Sequence, residues 1–362
     1  ASRGLGDVYK RQDPGHDMAS EAADAAQKQP PTFGGPGAGS LGSLLAGMLA
    51  QVQTAEVLSH GKGEHGAMMV AKGLHIEGEA TFHLSQDAAL FTLEEVGIPS
   101  SLNGTMDAVL LTGKGAAIFD LATLARGLLR PDGVLVCLSN GLGHAEACGA
   151  VVGVHRVVAG TTTYAAWRPT PGRVQFAGKG NVILGQIQGG PSEVDAKPLL
   201  DLFEQAGLTA EWTQNGPAAV WMKVLLNIAI NPIAALCGVA NGALLEPGLF
   251  TSSLETMLEG ARIARQERIH LPDDLELEMH LESVLKATAE NHCSMLQDVR
   301  AGRKTEIEYL NQAVVQRGER IGVRAPMNQM LSAMIDALTP VSYTHLRAHE
   351  TLRYLVCRLL LE

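Results

Sequence analysis

From about residue 31 to 195, short apolar runs alternate with helix-period stretches and glycine-rich turns. Ala108–Thr112 (AVLLT) reads as a strand, Ile118–Leu129 as a helix and Gly133–Leu138 (GVLVCL) as the next strand. Strands alternating with helices predict a parallel sheet with helices on both faces. Gly172–Gly178 and Gly180–Gly185 are expected to bracket a hairpin that closes the region. After Pro191 the period changes. Pro198–Ala206, Ala218–Cys237, Leu254–Gln266, Glu276–Glu290 and Thr305–Gly322 all carry helical spacing. The expectation is an α/β domain over 31–195 followed by a helical domain over 196–340. Residues 1–30 and 341–362 do not share either texture. Both ends read as foreign or disordered tails and stand outside the fold reasoning.

Composition narrows the class. At 362 residues the chain is long enough for two cores. Lys plus Arg number 28 against 38 Asp plus Glu, a formal charge of −10, so nucleic acid and anionic membranes are poor partners. Aromatic residues at 4% are too few for a stacking-based reader of bases. Five cysteines without CxxC spacing argue against a disulfide scaffold or structural zinc and point to a reducing, cytoplasmic setting. No leader-like pattern is visible at the start. Ala218–Leu245 is apolar enough to raise a membrane span, but it contains Lys223, Asn227, Asn231, Pro232 and Asn241, and a lysine at the centre of a span costs about 2.5–3.5 kcal/mol. A buried core helix with a polar stripe is the expected form.

Four segments carry candidate chemistry. Gly37-Ala38-Gly39-Ser40-Leu41-Gly42 is a G-x-G-x-x-G opening an apolar helix. Glycine there lets backbone approach a pyrophosphate, and the helix start supplies free N–H groups. A plain glycine-rich loop fits the same letters, and Pro31–Pro36 upstream is a poor strand. About twenty residues on, the strand Glu56–Ser59 leads to Lys62. A basic residue there favours a 2′-phosphate over a free ribose, although a solvated lysine fits as well. Lys223, Asn227 and Asn231 are spaced i, i+4, i+8, so they line one helix side, while Pro232 should disturb the helix. Ser294 with Gln297, and Thr305 with Glu308, match capping boxes. Asn140 follows a strand and sits where open α/β sheets bind ligands; an Asn-Gly turn is the plainer account.

Together these segments resemble the ketopantoate reductase (2-dehydropantoate 2-reductase) family over nearly all of 37–325. Further matching pieces are Lys114 in Thr-Gly-Lys, Gly160–Ala166, Asn241-Gly242, Ser294–Asp298 and Thr305–Tyr309. The resemblance implies a Rossmann-type dinucleotide-binding domain followed by an all-helical domain. It implies reduction of 2-dehydropantoate to pantoate, for pantothenate and coenzyme A synthesis, with NADPH as cofactor. In that frame Lys223 is the proton donor to the ketone oxygen. Asn140, Asn227, Asn231, Asn241 and Ser294 meet the substrate. Gly37, Ala38, Gly39, Ser40, Leu41, Gly42, Lys62, Lys114, Asn140, Ala166 and Glu306 meet the cofactor. No metal is implied, the partner is a small 2-oxo acid, and a homodimer is compatible with the family. Two alternatives stay open: a reductase of another branched 2-oxo acid, and a protein that binds a nucleotide or metabolite without turnover.

Overall fold

A computed structural model describes residues 32–338. The expected tails 1–30 and 341–362 lie outside the described residues. The first lobe runs β1 (Thr32–Pro36), α1 (Ser40–Leu49), β2 (Glu56–Gly61), α2 (Gly63–Lys72), β3 (Leu74–Gly78), β4 (Phe82–Leu84), β5 (Leu90–Leu93) and β6 (Met106–Leu111). It continues with α3 (Ile118–Leu128), β7 (Leu129–Cys137), α4 (His144–Val152), β8 (Val157–Thr162), β9 (Ala165–Trp167), β10 (Arg173–Gly178), β11 (Val182–Gln186), α5 (Glu193–Gln205) and β12 (Ala210–Thr213).

Eight strands form one sheet in the order β12-β11-β8-β7-β6-β1-β2-β5. Its pairs are parallel except β11 against β8. Both faces are covered, as the alternating pattern predicts. Leu44, Leu45 and Leu49 of α1, with Leu199, Leu202 and Phe203 of α5, belong to one buried cluster. Ile118, Ala122 and Ala125 of α3, with Cys148 and Val152 of α4, belong to the other.

The weak first strand forms nonetheless. β1 is central, paired with β2 on one side and β6 on the other. Gly34 lies close to the Met106 and Val109 side chains, so the missing side chain is matched by a large neighbour. Pro36 is the last residue of the strand, where a missing N–H costs least. The long stretch between Gly42 and Lys114 holds β3 and β4, which join β10 and β9 in a second sheet ordered β4-β3-β10-β9. This corrects the expected hairpin: β10 and β11 belong to different sheets and do not pair. Only Lys179, Gly180 and Asn181 separate them, and a Cβ on Gly180 would lie 2.5 Å from the Thr163 backbone where the chain passes from one sheet to the other.

The domain boundary also moves. α5 and β12 lie beyond residue 195, yet β12 extends the main sheet and α5 belongs to its core. The helical lobe starts with α6 (Gly216–Cys237) and continues with α7 (Pro247–Gln266), α8 (Asp274–Ala287), α9 (Ser294–Arg300), α10 (Asn311–Ile321) and α11 (Pro326–Leu338). α6 begins at a side-chain cap, with Asn215 accepting from the Ala218 N–H, and ends at left-handed Gly238. It runs on through Pro232 as a helix, so that proline does not end it. Trp221, Val224, Leu225, Ile228 and Ile233 are buried in the lobe's core, which accounts for the membrane-like letters.

Two helix-start expectations are corrected. The residue capping α9 is Cys293, whose sulfur accepts from the Leu296 N–H at 3.4 Å; Ser294 is the first helical residue. The helix expected over Thr305–Gly322 breaks: a short 3-10 turn over Ile307–Tyr309 precedes α10, and Leu310 between them has φ −110° and ψ −104°. Capping boxes do form at Ser192 and Asp273.

Candidate active site

The glycine loop is built from backbone. Gly37 has φ +95°, a region open to glycine at little cost, and a Cβ there would lie 3.0 Å from the Gly113 nitrogen. The Gly37 and Ala38 N–H groups donate to the His60 carbonyl at 3.2 and 3.0 Å. A Cβ on Gly42 would collide with the Thr112 hydroxyl, which itself donates to the Gly37 carbonyl at 3.1 Å. Gly39 is the residue before α1. No side chain caps that helix, its first turn (Ser40, Leu41, Gly42) holds no acid, and a Cβ on Gly39 would meet only the Gly37 carbonyl, at 3.8 Å. A helix start with unclaimed N–H groups and open space in front of it is a cradle for an anion, and a pyrophosphate fits it.

The loop is braced from behind. The Gly172 N–H donates to His65 Nδ1 at 2.9 Å, so Nε2 carries the hydrogen and donates to Ser43 Oγ, also at 2.9 Å. Ser43 in turn reaches the Ala38 carbonyl at 3.4 Å. Burial, reinforced by the charge of Arg168, pushes the His65 pKa down to about 4, so the ring is neutral at ordinary pH.

Lys62 stands exposed at the end of β2, immediately before α2. Its surroundings are acidic: Glu64 follows it, and the Glu95 carboxylate accepts from the Gly63 N–H at 3.2 Å. Ala166 is half-buried on β9, paired with Phe176 in the small sheet.

The second half of the site lies between the lobes. A narrow cleft is lined by Asn140, Asn227, Asn231, Ser294 and Glu306, together with Met295, Asp298 and Leu310. Five residues chosen from the sequence, spread over 166 positions from Asn140 to Glu306, therefore meet at one opening. Asn227 and Asn231 come from α6, Asn140 from the loop after β7, Ser294 from α9 and Glu306 from the turn before α10. The Cys293 thiol donates to the Asn231 carbonyl at 3.5 Å, which ties the start of α9 to α6.

Lys223 lies one turn before Asn227 and does not line that opening. It is half-buried, and its Nζ donates to the Thr162 carbonyl at 2.7 Å, at the end of β8 in the other lobe. Desolvation brings its pKa down to about 8, partly offset by the nearby Glu306 carboxylate. Burial pushes the Glu306 carboxyl upward, while the Gly115 N–H at 3.3 Å, the Lys114 charge and the Asn140 side chain favour its ionised form. The Asn140 Oδ1 is buried and has no hydrogen-bond partner among the described residues. An orphaned acceptor beside a carboxylate is where a ligand's N–H or O–H donors would dock. The residues on both halves therefore fit a dinucleotide.

Lys114 reaches across the lobes to Asp298 at 2.8 Å, and Arg303 meets the other oxygen of Asp298 at 2.8 Å. Asn241 is not brought to the cleft. It is buried on the 3-10 turn Asn241–Leu245, where its Nδ2 donates to Thr288 Oγ1 at 3.0 Å and its Oδ1 has no partner among the described residues. Sequence reading assigned no role to Asp298, Leu310 or Thr162. Asp298 had a signal, since it follows Ser294 by four residues and shares its helix face. Thr162 contributes a backbone carbonyl and had none.

A dinucleotide-type α/β lobe facing a helical lobe, with a lysine and a carboxamide stripe at their junction, defines a two-lobed oxidoreductase. Residues 36–189 match the family model described as ketopantoate reductase PanE/ApbA, and 217–339 match its C-terminal model. The 2-dehydropantoate 2-reductase of Pyrococcus horikoshii is 33% identical over 302 residues, covering 83% of this chain and 95% of that protein. That of Halobacterium salinarum is 33% identical over 303 residues, covering 83% and 96%. Among solved structures, the 2-dehydropantoate 2-reductase of Geobacter metallireducens has a TM-score of 0.76 at 25% identity, covering 85% of this chain and all of that one. A D-mandelate dehydrogenase with NADH and anilino(oxo)acetate has a TM-score of 0.78 at 25% identity, covering 85% and 98%. The chain belongs to the ketopantoate reductase family of dinucleotide-dependent reductases.

Proposed function

We propose that the protein reduces 2-dehydropantoate to pantoate, with NADPH as cofactor and Lys223 as the acid. The observation that carries this reading is Lys223 itself: a half-buried ammonium between the lobes, one helical turn from the carboxamides that line the cleft, with a pKa near 8. When bound, the nicotinamide supplies a hydride to the ketone carbon. Negative charge then develops on the ketone oxygen, and an ammonium beside it stabilises that charge and gives up a proton. A lysine with an ordinary pKa would hold its proton too tightly for efficient transfer near neutrality. Desolvation brings Lys223 closer to the useful range.

Asn227, Asn231 and Ser294 offer neutral donors and acceptors, which suit a carboxylate and a hydroxyl and do not compete for the proton. Glu306 and Asn140 would hold the nicotinamide riboside end, and the Gly37–Gly42 backbone the pyrophosphate. Lys62 would meet a 2′-phosphate, the support for NADPH over NADH. The same reading places the enzyme in the cytoplasm.

A second reading, a reductase of another 2-oxo acid, is favoured by the likeness to a D-mandelate dehydrogenase. The lining of three asparagines, a serine and two carboxylates suits a hydroxylated aliphatic acid better than an aryl one. NADPH oxidation with 2-dehydropantoate and with 2-oxoisovalerate separates the cases. Faster turnover of 2-dehydropantoate is expected; equal or reversed rates remove the pantoate assignment. NADPH binding with no ketone reduced would leave only a nucleotide-binding protein.

A further inference from the structure

One aromatic side chain joins the lobes directly behind the cleft. Tyr309 ends the 3-10 turn that follows Glu306. Its ring and backbone press on two glycines of the sheet lobe. A Cβ on Gly115 would run into the ring, and one on Gly141 would lie 2.6 Å from both the Tyr309 Cβ and its carbonyl oxygen. The Leu142 N–H donates to that carbonyl at 2.9 Å. On the far side the Tyr309 ring meets His144, a buried residue at the start of α4, with centroids 4.9 Å apart and planes 41° apart.

His144 is also bonded to the Asn140 backbone, with Nε2 2.9 Å from the Asn140 carbonyl. A carbonyl only accepts, so Nε2 carries the hydrogen and donates. Meanwhile the Tyr309 N–H donates to the Glu306 carbonyl at 3.0 Å. The backbones that carry the Asn140 and Glu306 side chains into the cleft are thus each held from behind by one member of this aromatic pair. Neither His144 nor Tyr309 lines the cleft.

We infer that His144 and Tyr309 are positioning residues: their ring contact joins the two lobes and, through the backbones they bond, holds the Asn140 carboxamide and the Glu306 carboxylate in register for the bound dinucleotide. This rests on the reductase reading of the cleft. Supporting residues of this kind act through the orientation of others, so conservative replacements that keep the contact should keep the function.

The test uses the full chain, NADPH fluorescence titration, steady-state rates and the thermal midpoint. His144→Ala and Tyr309→Ala are expected to weaken NADPH binding about tenfold, the scale of misplacing one charge-assisted contact. Tyr309→Phe retains the ring and should stay within about twofold of the parent, while His144→Gln retains only an N–H for the Asn140 carbonyl and should lose less than His144→Ala. In an Asn140→Ala background, His144→Ala should add little further loss through this route, because the carboxamide that His144 positions is already gone. Unchanged NADPH affinity in the alanine variants, with only the thermal midpoint lowered, overturns the inference. So does an equal loss in the conservative variants. Should Tyr309→Ala not fold, the His144 pair decides alone. A parent chain that binds NADPH and reduces no 2-oxo acid defeats the reductase reading, while the affinity series still judges the positioning role.

Discussion

At Gly37–Gly42 the protein offers backbone, and at the cleft between the lobes it offers side chains. The loop lies wholly within one lobe, on consecutive residues, and its N–H groups are aimed by the start of α1. The cleft draws Asn140, Asn227, Asn231, Ser294 and Glu306 from four separate segments beyond the loop, across two lobes. A subsite made of backbone depends on shape, so it survives a glycine- and proline-rich first strand whose neighbours hold it in place. A subsite made of side chains depends on particular atoms at particular positions, and a single truncation removes a function.

That contrast can be broken by mutation, and the largest effect is expected at Lys223. Lys223→Ala should lower kcat by at least about 10²-fold, the usual worth of a positioned acid, with NADPH affinity nearly kept. Normal turnover in the variant would remove Lys223 as the acid. Glu306→Ala should weaken NADPH binding about tenfold, as expected for one charge-assisted contact, and an unchanged dissociation constant on titration would count against its cofactor role. Gly42→Ala tests the shape claim. The added methyl meets the Thr112 hydroxyl and lies 2.9 Å from the Gly37 carbonyl, so NADPH binding should fall several-fold, and adding Thr112→Ala should restore only part of it. Failure of that second change to help would show that the loop does not depend on this close approach. The smallest effect is expected at Lys62. Because the side chain is exposed and flanked by Glu64 and Glu95, Lys62→Ala should cost NADPH only about fivefold and leave NADH unchanged. Equal losses for both dinucleotides would remove its selectivity role.

The same contrast explains what could be read in advance. The α/β pattern and the glycine loop are local, and both were legible from periodicity and spacing. The Lys223, Asn227, Asn231 stripe was legible because helical geometry alone aligns those positions. Asn241 shows the limit. Its distance along the chain says nothing about direction once α6 ends at Gly238, and the following 3-10 turn places it against Thr288. The Tyr309–His144 ring contact and the Lys223–Thr162 carbonyl bond run between lobes, and no short-range pattern carries them. The lobe boundary was missed for a related reason. α5 has an ordinary helical period, and only β12 joining the sheet reveals which lobe owns it. Thr305–Gly322 has helical letters throughout, but the docking of Glu306 and Tyr309 on the sheet lobe accompanies a break at Leu310.

The proton supply from Lys223 is tested most directly by the pH dependence of kcat for 2-dehydropantoate reduction at saturating NADPH. Burial lowers the pKa of this lysine to about 8 from its ordinary 10.5, so the ammonium is present below that pH and lost above it. The rate should hold through neutrality and fall about tenfold per unit well above pH 8, the behaviour of a single acid that must be protonated. A rate that stays level to pH 10, or a fall that persists unchanged in Lys223→Ala, would contradict the account.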